Sequence, residues 1–348
     1  MAQELWQQSL QDSITSVEQL ADHFDFDPRP LTMVEAKYPM RITPYYLGLI
    51  EQVGDPIWKQ SVPDLHELSE DGLIDPLAEE DHSPTPAIIH RYPDRVIFYV
   101  SGSCAGYCRF CTRKRKVGCP EMALSFRELR AGIEYIAATP QIREVIFSGG
   151  DPLILPDSVL EDLLARVQVI PHVEIIRIGT RIPTTLPERI TDHLCTLLKK
   201  FQPLYLNTHF NHPRELTQQA ADACARLVDA GIVLGNQTVL LRGVNDQPEI
   251  ISALFRGLLK MRVRPYYLHH MDLTRGAGHF RTSVKSGLEI IHSLRGPVSG
   301  LASPHYVIDL PGGRGKVPLG TQCIKRRGDM LLIQTAAGDV VEYPDLQS

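Results

Sequence analysis

Residues 95–111 read RVIFYVSGSCAGYCRFC, an apolar run that passes directly into three closely spaced cysteines. Residues 96–100 predict a buried β-strand, because short runs rich in β-branched and aromatic residues favour strands. Further runs of this kind follow along the chain, at residues 144–147, 174–179, 204–208, 232–239, 264–269 and 305–310. Segments with helical periodicity separate them. Strands that alternate with helices indicate repeated βα units, which build a parallel sheet.

Six helical segments fit between these strands. Five begin near residues 125, 157, 187, 215 and 247, and the sixth covers residues 283–294. We therefore predict an α/β fold, a partial (βα)6 barrel of the TIM type. A dinucleotide-binding fold is disfavoured, because no Gly-x-Gly-x-x-Gly follows the first strand. The predicted division is a helical and irregular N-terminal arm over residues 1–85, a barrel over 86–310, and a C-terminal loop with a short tail over 311–348.

The composition excludes several classes of protein. Lys and Arg number 36 and Asp and Glu number 41, so a net charge of −5 disfavours a general binder of nucleic acid. No segment approaches the roughly 20 apolar residues of a membrane helix. The first 28 residues hold six carboxylates and no Lys or Arg, unlike a secretory leader. We expect a cytoplasmic protein that does not bind a membrane.

The strongest motif is the cysteine triplet Cys104, Cys108 and Cys111. Thiolates are soft ligands that suit iron–sulfur clusters or zinc. Three cysteines on a four-iron cluster leave one iron open, which is what a catalytic cluster requires. A structural zinc site, with Cys119 or a histidine as the fourth ligand, is the alternative.

Polar residues follow most of the predicted strands. Because the chemistry of βα barrels lies at the carboxyl ends of their strands, we expect these residues to share one active site. They are Ser148-Gly-Gly-Asp151, Thr180-Arg181, His209, Gln237, Asp272 and Asp309.

The cysteine spacing, with Tyr107 and Phe110 before the second and third cysteines and a glycine-rich segment in register after them, resembles the radical S-adenosylmethionine superfamily. The resemblance implies a barrel of that superfamily's type and a [4Fe–4S] cluster on the three cysteines. It also implies that S-adenosylmethionine binds the open iron. Residues that match this cofactor's site are Ser148, Gly149, Gly150, Asp151, Arg181, His209 and Gln237.

Longer stretches resemble the lysine 2,3-aminomutase family: residues 90–95, 111–113, 236–241, 272–282 and 309–316. The resemblance runs from about residue 75 to about 319. The last thirty residues depart from it and do not match the long C-terminal extension of clostridial-type members, so the chain resembles a short form. The resemblance implies that Lys316 holds pyridoxal phosphate and that Tyr92 and Arg95 bind its phosphate. Arg113 would bind the substrate α-carboxylate.

The implied function is that of an isomerase, an intramolecular amino transfer from L-lysine to β-lysine through a 5′-deoxyadenosyl radical and an external aldimine. The resemblance places Asp272 and Asp309 at the side-chain end of the substrate. Two converging carboxylates repel each other unless a cation lies between them, and the ε-ammonium of lysine supplies one. Two alternatives stay open: the same reaction in the β-lysylation of elongation factor P, and an aminomutase for another amino acid.

The resemblance also implies an external reductant, such as flavodoxin or ferredoxin, and favours a homodimer. The run Arg113–Lys116 with Arg109 raises a nucleic-acid patch as an alternative, which an acidic pI and the lack of interleaved aromatic residues disfavour. We expect Lys114–Lys116 to be solvated. Two competing functions remain, a radical S-adenosylmethionine enzyme without pyridoxal phosphate that modifies RNA and a zinc-stabilised interaction protein.

Overall fold

The computed structural model describes residues 5–320, 324–327, 330–335 and 339–344. A nine-stranded mixed sheet dominates this part of the chain, and its strands follow one another in sequence order. Strands β2 to β8 are parallel, whereas the edge strands β1 and β9 are antiparallel to their neighbours. The bounds are β1 Ile88–Tyr92, β2 Arg95–Ser101, β3 Glu144–Gly149, β4 Ile175–Gly179, β5 Leu204–Thr208, β6 Val233–Leu240, β7 Arg264–His270, β8 His305–Asp309 and β9 Lys316–Pro318.

Helices connect the parallel strands, and six βα units followed by a seventh parallel strand confirm the predicted barrel. The arm holds α1 Leu5–Gln11, α2 Val17–Ala21, α3 Thr32–Lys37, α4 Pro44–Leu47 and α5 Pro56–Ser61. The barrel helices are α6 Phe126–Ala137, α7 Asp157–Gln168, α8 Ile182–Thr185, α9 Asp192–Lys199, α10 Gln218–Asp229, α11 Pro248–Lys260 and α12 Val284–Leu294.

The helix predicted to begin near residue 187 begins five residues later. The Thr191 side chain accepts a hydrogen bond from Leu194 N at 3.1 Å and so fixes the first turn of α9 at Asp192. A short separate helix, α8, precedes it directly after β4. Strand β1 was not predicted as a strand, because residues 90–95 show no apolar alternation; they form the hairpin that joins β1 to β2.

Amphipathic helices cover the outside of the sheet. In α11 the buried residues recur at the spacing of one helical face, and they pack into the main core with the apolar residues of the strands. They are Ile251, Leu254, Phe255 and Leu258.

The sheet curls into a barrel whose two edges meet through side chains. All nine strands line one cavity of about 730 Å³. Within the described strands no backbone ladder joins β1 to β9. Instead, the Arg91 guanidinium of β1 pairs with the Asp309 carboxylate of β8 at 3.1 Å. The Tyr92 hydroxyl accepts a hydrogen bond from Lys316 N of β9 at 2.9 Å. The seam of the barrel is therefore closed by polar contacts.

The N-terminal arm has a small core of its own, formed by Val17, Leu20, Ile42, Ile57 and other apolar residues. Its polar contacts hold the cysteine loop that follows β2. The fully buried Glu67 accepts hydrogen bonds from Arg109 at 2.7 and 2.9 Å and from Lys114 at 2.7 Å. The arm therefore forms part of the wall around the cysteines.

The expectation that Lys114–Lys116 are solvated is wrong. Lys114 is buried, at 8% exposure, and pairs with Glu67. Arg115 pairs with Asp75 at 3.0 Å, and Lys116 with Glu80 at 3.2 Å. An acidic segment, residues 75–80, lies against this basic run and neutralises it. These basic residues therefore pair with carboxylates of the same chain, which further disfavours a nucleic-acid patch.

The C-terminal residues form a separate three-stranded antiparallel sheet. Its strands are β10 Ile324–Arg327, β11 Met330–Gln334 and β12 Val340–Pro344. Residues 321–323, 328–329, 336–338 and 345–348 of the predicted tail lie outside the described residues. The predicted domain boundaries stay predictions. None of the described helices is long and apolar enough to cross a membrane.

Replacing Glu67 with glutamine should destabilise the protein strongly. Glu67→Gln keeps the size of the side chain but leaves Arg109 and Lys114 as buried cations without a counter-charge. Removing one partner of a buried pair costs about 3–5 kcal/mol. Urea unfolding followed by circular dichroism measures the change in the free energy of unfolding.

Glu70→Gln is the matched control. Glu70 pairs with Lys37 and Arg275 at the surface, where ion pairs contribute little. Equal losses of stability in the two variants would contradict the assignment of Glu67 as a buried anchor.

Candidate active site

The three cysteines lie in the loop directly after β2, with their thiols close to one another. Burial raises the pKa of Cys104 well above its ordinary value, and it raises the pKa of Cys111 to about 11, with the neighbouring Cys108 as the next cause. Ionised thiols therefore need a positive centre beside them, which a metal supplies. The donor set fits the expected cluster.

Among the described residues, no three His, Cys, Asp or Glu side chains surround a single metal-ion position. A [4Fe–4S] cluster does not require this arrangement, because each cysteine binds a different iron.

The glycine-rich segment after β3 packs directly on the start of the cysteine loop. Gly150 N donates to Ser101 O at 2.6 Å. A Cβ atom at Gly149, which has φ +124°, would lie 2.4 Å from Ser101 O, and one at Gly150 would lie 2.3 Å from Ser103 O. Only glycine permits this approach. The segment thus fixes the loop that carries the cysteines.

Asp151 is fully engaged inside the protein. Its buried carboxylate accepts hydrogen bonds from the Thr180 hydroxyl at 2.7 Å, from Arg181 N at 2.6 Å and from Leu153 N at 3.0 Å. It thereby joins the loop after β3 to the loop after β4. This contact positions Arg181.

The Arg181 side chain links a cysteine to the N-terminal arm. Its Nη1 donates to Cys108 Sγ at 2.7 Å, and its Nη2 donates to Glu215 at 2.8 Å, to Gln60 at 2.7 Å and to the Tyr46 hydroxyl at 3.0 Å. Glu215 is fully buried and supplies the counter-charge. Gln60 and Tyr46 come from α5 and α4, so the arm helps to orient a group that contacts Cys108.

His209 offers an unpaired nitrogen beside the cysteine loop. Its ring lies 5.6 Å from that of Phe110, the residue before Cys111. Burial, followed by the charge of Arg181, lowers its pKa well below the ordinary value, so the imidazole is neutral. Its buried Nε2 has no hydrogen-bond partner within the described part of the chain. An unsatisfied buried nitrogen of this kind fits a ligand.

Lys316, the first residue of β9, lines the barrel cavity. Its Nζ forms a close ion pair with the Asp309 carboxylate and lies 3.3 Å from His269 Nδ1. Its backbone is fixed by Tyr92, whose ring packs under Arg95 at 3.9 Å. Both Tyr92 and Arg95 line the same cavity, as does Gln237 of β6.

Arg113 lines the cavity on the side of the cysteine loop. Glu79 accepts from its Nε and Nη2 at 2.6–3.0 Å. Nη1 donates to the Ser148 hydroxyl at 3.2 Å and to Gly149 O at 3.1 Å. The acidic segment therefore orients this guanidinium.

Asp272 lies near Asp309, but the two carboxylates differ. Burial alone would raise the pKa of Asp309, yet the neighbouring His269 ring and the Lys316 ammonium shift it well downward. Burial and then the charge of Asp309 raise the pKa of Asp272 to about 7. The Asp272 side chain has no hydrogen bond or ion pair to any described residue, so it lacks the cation that Asp309 has.

Comparison with known proteins agrees with this arrangement. The model of the radical S-adenosylmethionine superfamily matches residues 98–254. The L-lysine 2,3-aminomutase of Fusobacterium nucleatum is 45% identical over 98% of this chain and 82% of its own length. That of Methanococcus maripaludis is 47% identical over 97% and 80%. The glutamate 2,3-aminomutase of Clostridioides difficile is 43% identical over 90% and 75%.

The chain belongs to the lysine 2,3-aminomutase family. The similarity extends well beyond residues 75–319, since it covers nearly the whole chain. Membership of the lysine 2,3-aminomutase family makes the chain an enzyme of the isomerase class. The family's cofactors are a [4Fe–4S] cluster, S-adenosylmethionine and pyridoxal phosphate. The roles of the individual residues stay predictions.

Several residues of the site were missed by sequence reasoning. Arg91 lies within a quoted stretch, 90–95, and its charge was the available signal. Glu79 and Gln60 lie in the arm, where no periodic pattern indicated that their side chains point toward the site. Glu215 follows the predicted His209 by six residues, but nothing in the sequence showed that its carboxylate turns back to Arg181.

Replacing Gly150 with alanine should disrupt the cysteine loop. The added Cβ would meet the backbone at Ser103, so the two loops must separate, at a cost of about 1–3 kcal/mol. We expect Gly150→Ala to bind less iron after anaerobic reconstitution and to unfold at a lower temperature.

Gly300→Ala serves as the control, because nothing lies within 4 Å of a Cβ at that position. Iron content in Gly150→Ala equal to that of Gly300→Ala would argue against a tight contact between the two loops.

Proposed function

We propose that the protein catalyses the L-lysine 2,3-aminomutase reaction, the transfer of the amino group from the α-carbon to the β-carbon of L-lysine. One observation carries the proposal: Asp272 is a half-buried carboxylate that forms no ion pair with a described residue, and it lies close enough to Asp309 and Lys316 for their charges to shift its pKa. A substrate with a second ammonium group supplies the missing cation. The names of the two lysine 2,3-aminomutases above support the same substrate.

We propose Lys316 as the residue that binds pyridoxal phosphate, with Tyr92 and Arg95 at its phosphate. The lysine amine lies in the cavity, and glycines with φ of +74°, +70° and +94° at positions 312, 313 and 315 let its loop turn tightly. When bound, the cofactor carries the migrating amino group. The Arg95 guanidinium packs on Tyr92, and both side chains face the cavity.

We propose that Cys104, Cys108 and Cys111, which line a smaller pocket of their own, hold the cluster. S-adenosylmethionine would lie between the cluster and Lys316. We propose that S-adenosylmethionine contacts Ser148, Gly149, Gly150, Arg181, His209 and Gln237. Asp151 positions Arg181. When bound, this pair of cofactors generates the radical that removes the substrate hydrogen. The protein itself contributes orientation and a cavity enclosed by the barrel.

We propose that the α-carboxylate of the substrate binds Arg113 through Nη1. Glu79 occupies the Nε–Nη2 edge and holds the guanidinium in one orientation, and the carboxylate would replace the Ser148 hydroxyl and Gly149 O as the acceptor at Nη1. A planar guanidinium is a strong partner for a carboxylate. Because every α-amino acid has this carboxylate, Arg113 cannot select among substrates.

Selection depends on charge at the side-chain end. At about 4 Å and an effective dielectric near 20, a unit-charge contact amounts to about 4 kcal/mol before desolvation. For the ε-ammonium of lysine the contact with Asp272 is attractive, and for the side-chain carboxylate of glutamate it is repulsive. One relative is named glutamate 2,3-aminomutase, so the substrate side chain can differ between related enzymes. We propose that the negative charge of Asp272 favours lysine over glutamate in this protein.

Three further features belong to the proposal. The cluster needs an external electron, for which we propose a low-potential donor such as flavodoxin or ferredoxin. We also propose a homodimer and a cytoplasmic location, in line with the resemblance to the family. The product would be either free β-lysine for metabolism or β-lysine for elongation factor P, and unmodified factor in a deletion strain would favour the second role.

The activity test is anaerobic reconstitution with iron, sulfide, pyridoxal phosphate, S-adenosylmethionine and dithionite, followed by chromatography of the products. We expect L-lysine to give β-lysine. Lys316→Ala should lose the visible absorption band of lysine-bound pyridoxal phosphate but keep about four irons per chain. Cys108→Ala should keep the visible band and lose the iron.

Faster turnover of glutamate than of lysine would overturn the substrate. A protein that never shows the visible band would favour the competing enzyme without pyridoxal phosphate. Zinc in place of iron would favour the zinc-stabilised interaction protein.

Replacing Asp272 with asparagine should separate function from stability. The pKa of Asp272 is about 7 in the folded protein against an ordinary value of 3.8, so its proton stabilises the fold below pH 4 and this stabilisation is lost as pH rises through 7. Asp272→Asn should therefore be more stable than the parent at pH 8, by up to about 4 kcal/mol, and equal to it at pH 4. Thermal unfolding at both pH values measures this difference.

The same variant should bind lysine at least tenfold more weakly at pH 8. The affinity of the parent should fall between pH 8 and pH 6 as Asp272 takes up a proton, whereas that of Asp272→Asn should not. Asp71→Asn, an exposed carboxylate in the arm, is the control. Unchanged lysine affinity in Asp272→Asn would contradict the proposed contact.

A further inference from the structure

His269 lies beside the amine of Lys316 in the barrel lumen. Its Nδ1 is 3.3 Å from Lys316 Nζ and 3.7 Å from the Asp309 carboxylate. Its second nitrogen, Nε2, is buried and has no hydrogen-bond partner among the described residues. The imidazole therefore contacts the reacting nitrogen on one side and offers an unsatisfied nitrogen on the other.

Lys316 needs a proton acceptor before it can act as a nucleophile. Its ammonium is held by Asp309, and only the free amine has the lone pair that attacks a carbonyl carbon. Asp309 is a poor acceptor, because its contacts with His269 and Lys316 hold its pKa well below the ordinary value despite burial. The contacts of Asp309 stabilise the charge on Lys316 but cannot remove its proton.

His269 has the properties of that acceptor. Burial lowers its pKa, so the ring is neutral near pH 7 and one nitrogen has a free lone pair. The other groups around it are less suitable. Tyr267 packs edge-on against the ring and has its pKa raised by burial. His209 forms no hydrogen bond with Lys316, and Asp272 forms no ion pair with it.

We propose that His269 is a catalytic residue that carries the proton exchanged between Lys316 and the substrate amine. The proposal rests on the role of Lys316 in the proposed function. In the loading step, one proton passes from Lys316 Nζ to His269 Nδ1. A C=N bond then forms, the two hydrogens left on Nζ leave with the carbonyl oxygen as water, and the imidazolium releases its proton to solvent.

The exchange with substrate balances in the same way. The substrate arrives as an ammonium ion and gives one proton to His269, and its two remaining amine hydrogens pass to Nζ as the C=N bond moves to the substrate nitrogen. The imidazolium then returns its proton to Nζ. Lys316 is restored as an ammonium ion against Asp309, and no net proton is taken up or released.

The test measures the rate at which the full chain, freed of pyridoxal phosphate, forms its visible band when the cofactor is added in a stopped-flow spectrometer. No cluster, reductant or turnover is needed. We expect His269→Gln to slow band formation about a hundredfold at pH 7, the lower end of the usual contribution of a general base. Its rate should rise about tenfold per pH unit up to pH 9, because Lys316 must then lose its proton to water, whereas the parent rate should change less.

Two further variants make the result specific. In His269→Ala, added imidazole should restore the rate in proportion to its concentration, which a purely structural role would not allow. His193→Gln, which removes an exposed imidazole on α9, should keep the parent rate.

If His269→Gln formed the visible band at the parent rate, or if imidazole did not rescue a folded His269→Ala, the proton-transfer role of His269 would be overturned. The proposed function would be unaffected. A visible band that persists in Lys316→Ala would overturn the proposed function together with this inference.

Discussion

One carboxylate, that of Asp309, holds both the barrel and its reactive lysine in place. It pairs with Arg91 on β1 and with Lys316 on β9, and these contacts close a seam where the described strands form no backbone ladder. The closure of the fold and the placement of the amine are thus the same interaction. A change at Asp309 therefore alters structure and chemistry together. Asp272 forms no hydrogen bond or ion pair with another described side chain, so a substitution there tests the effect of substrate charge with less structural change than a substitution at Asp309.

The parallel part of the fold could be predicted because each βα unit leaves a local pattern, an apolar run followed by an amphipathic segment. The edge strands β1 and β9 leave no such pattern, and their pairing with β2 and β8 defines them. The same limit explains the error at Lys114–Lys116. Their partners Glu67, Asp75 and Glu80 are more than thirty residues away in an irregular segment, so only the tertiary fold brings the charges together.

Within the site, the positions of the cysteines, Lys316 and Asp309 followed from motifs, but the groups that orient them did not. Arg181 is held by Glu215 and by Tyr46 and Gln60 of the arm. A buried guanidinium requires such a counter-charge, since an unpaired one would cost several kcal/mol. The arm is therefore needed to hold a cation next to Cys108, and a barrel without it would expose that cation and the cysteine loop to water.

The charges around Asp309 and Asp272 favour a cationic substrate side chain. Arg91 and Lys316 pair with Asp309, and Arg113 pairs with Glu79, whereas Asp272 has no ion pair to a described residue and burial raises its pKa to about 7. A bond from Lys316 Nζ to a carbonyl carbon weakens the positive charge beside Asp309. Asp309 and Asp272 then share too little positive charge, and a neutral substrate side chain would leave this deficit in a buried place. The ε-ammonium of lysine restores the balance, because Asp309, which holds the resting Lys316 side chain, and Asp272, which pairs with no described residue, can both contact it when Lys316 is engaged.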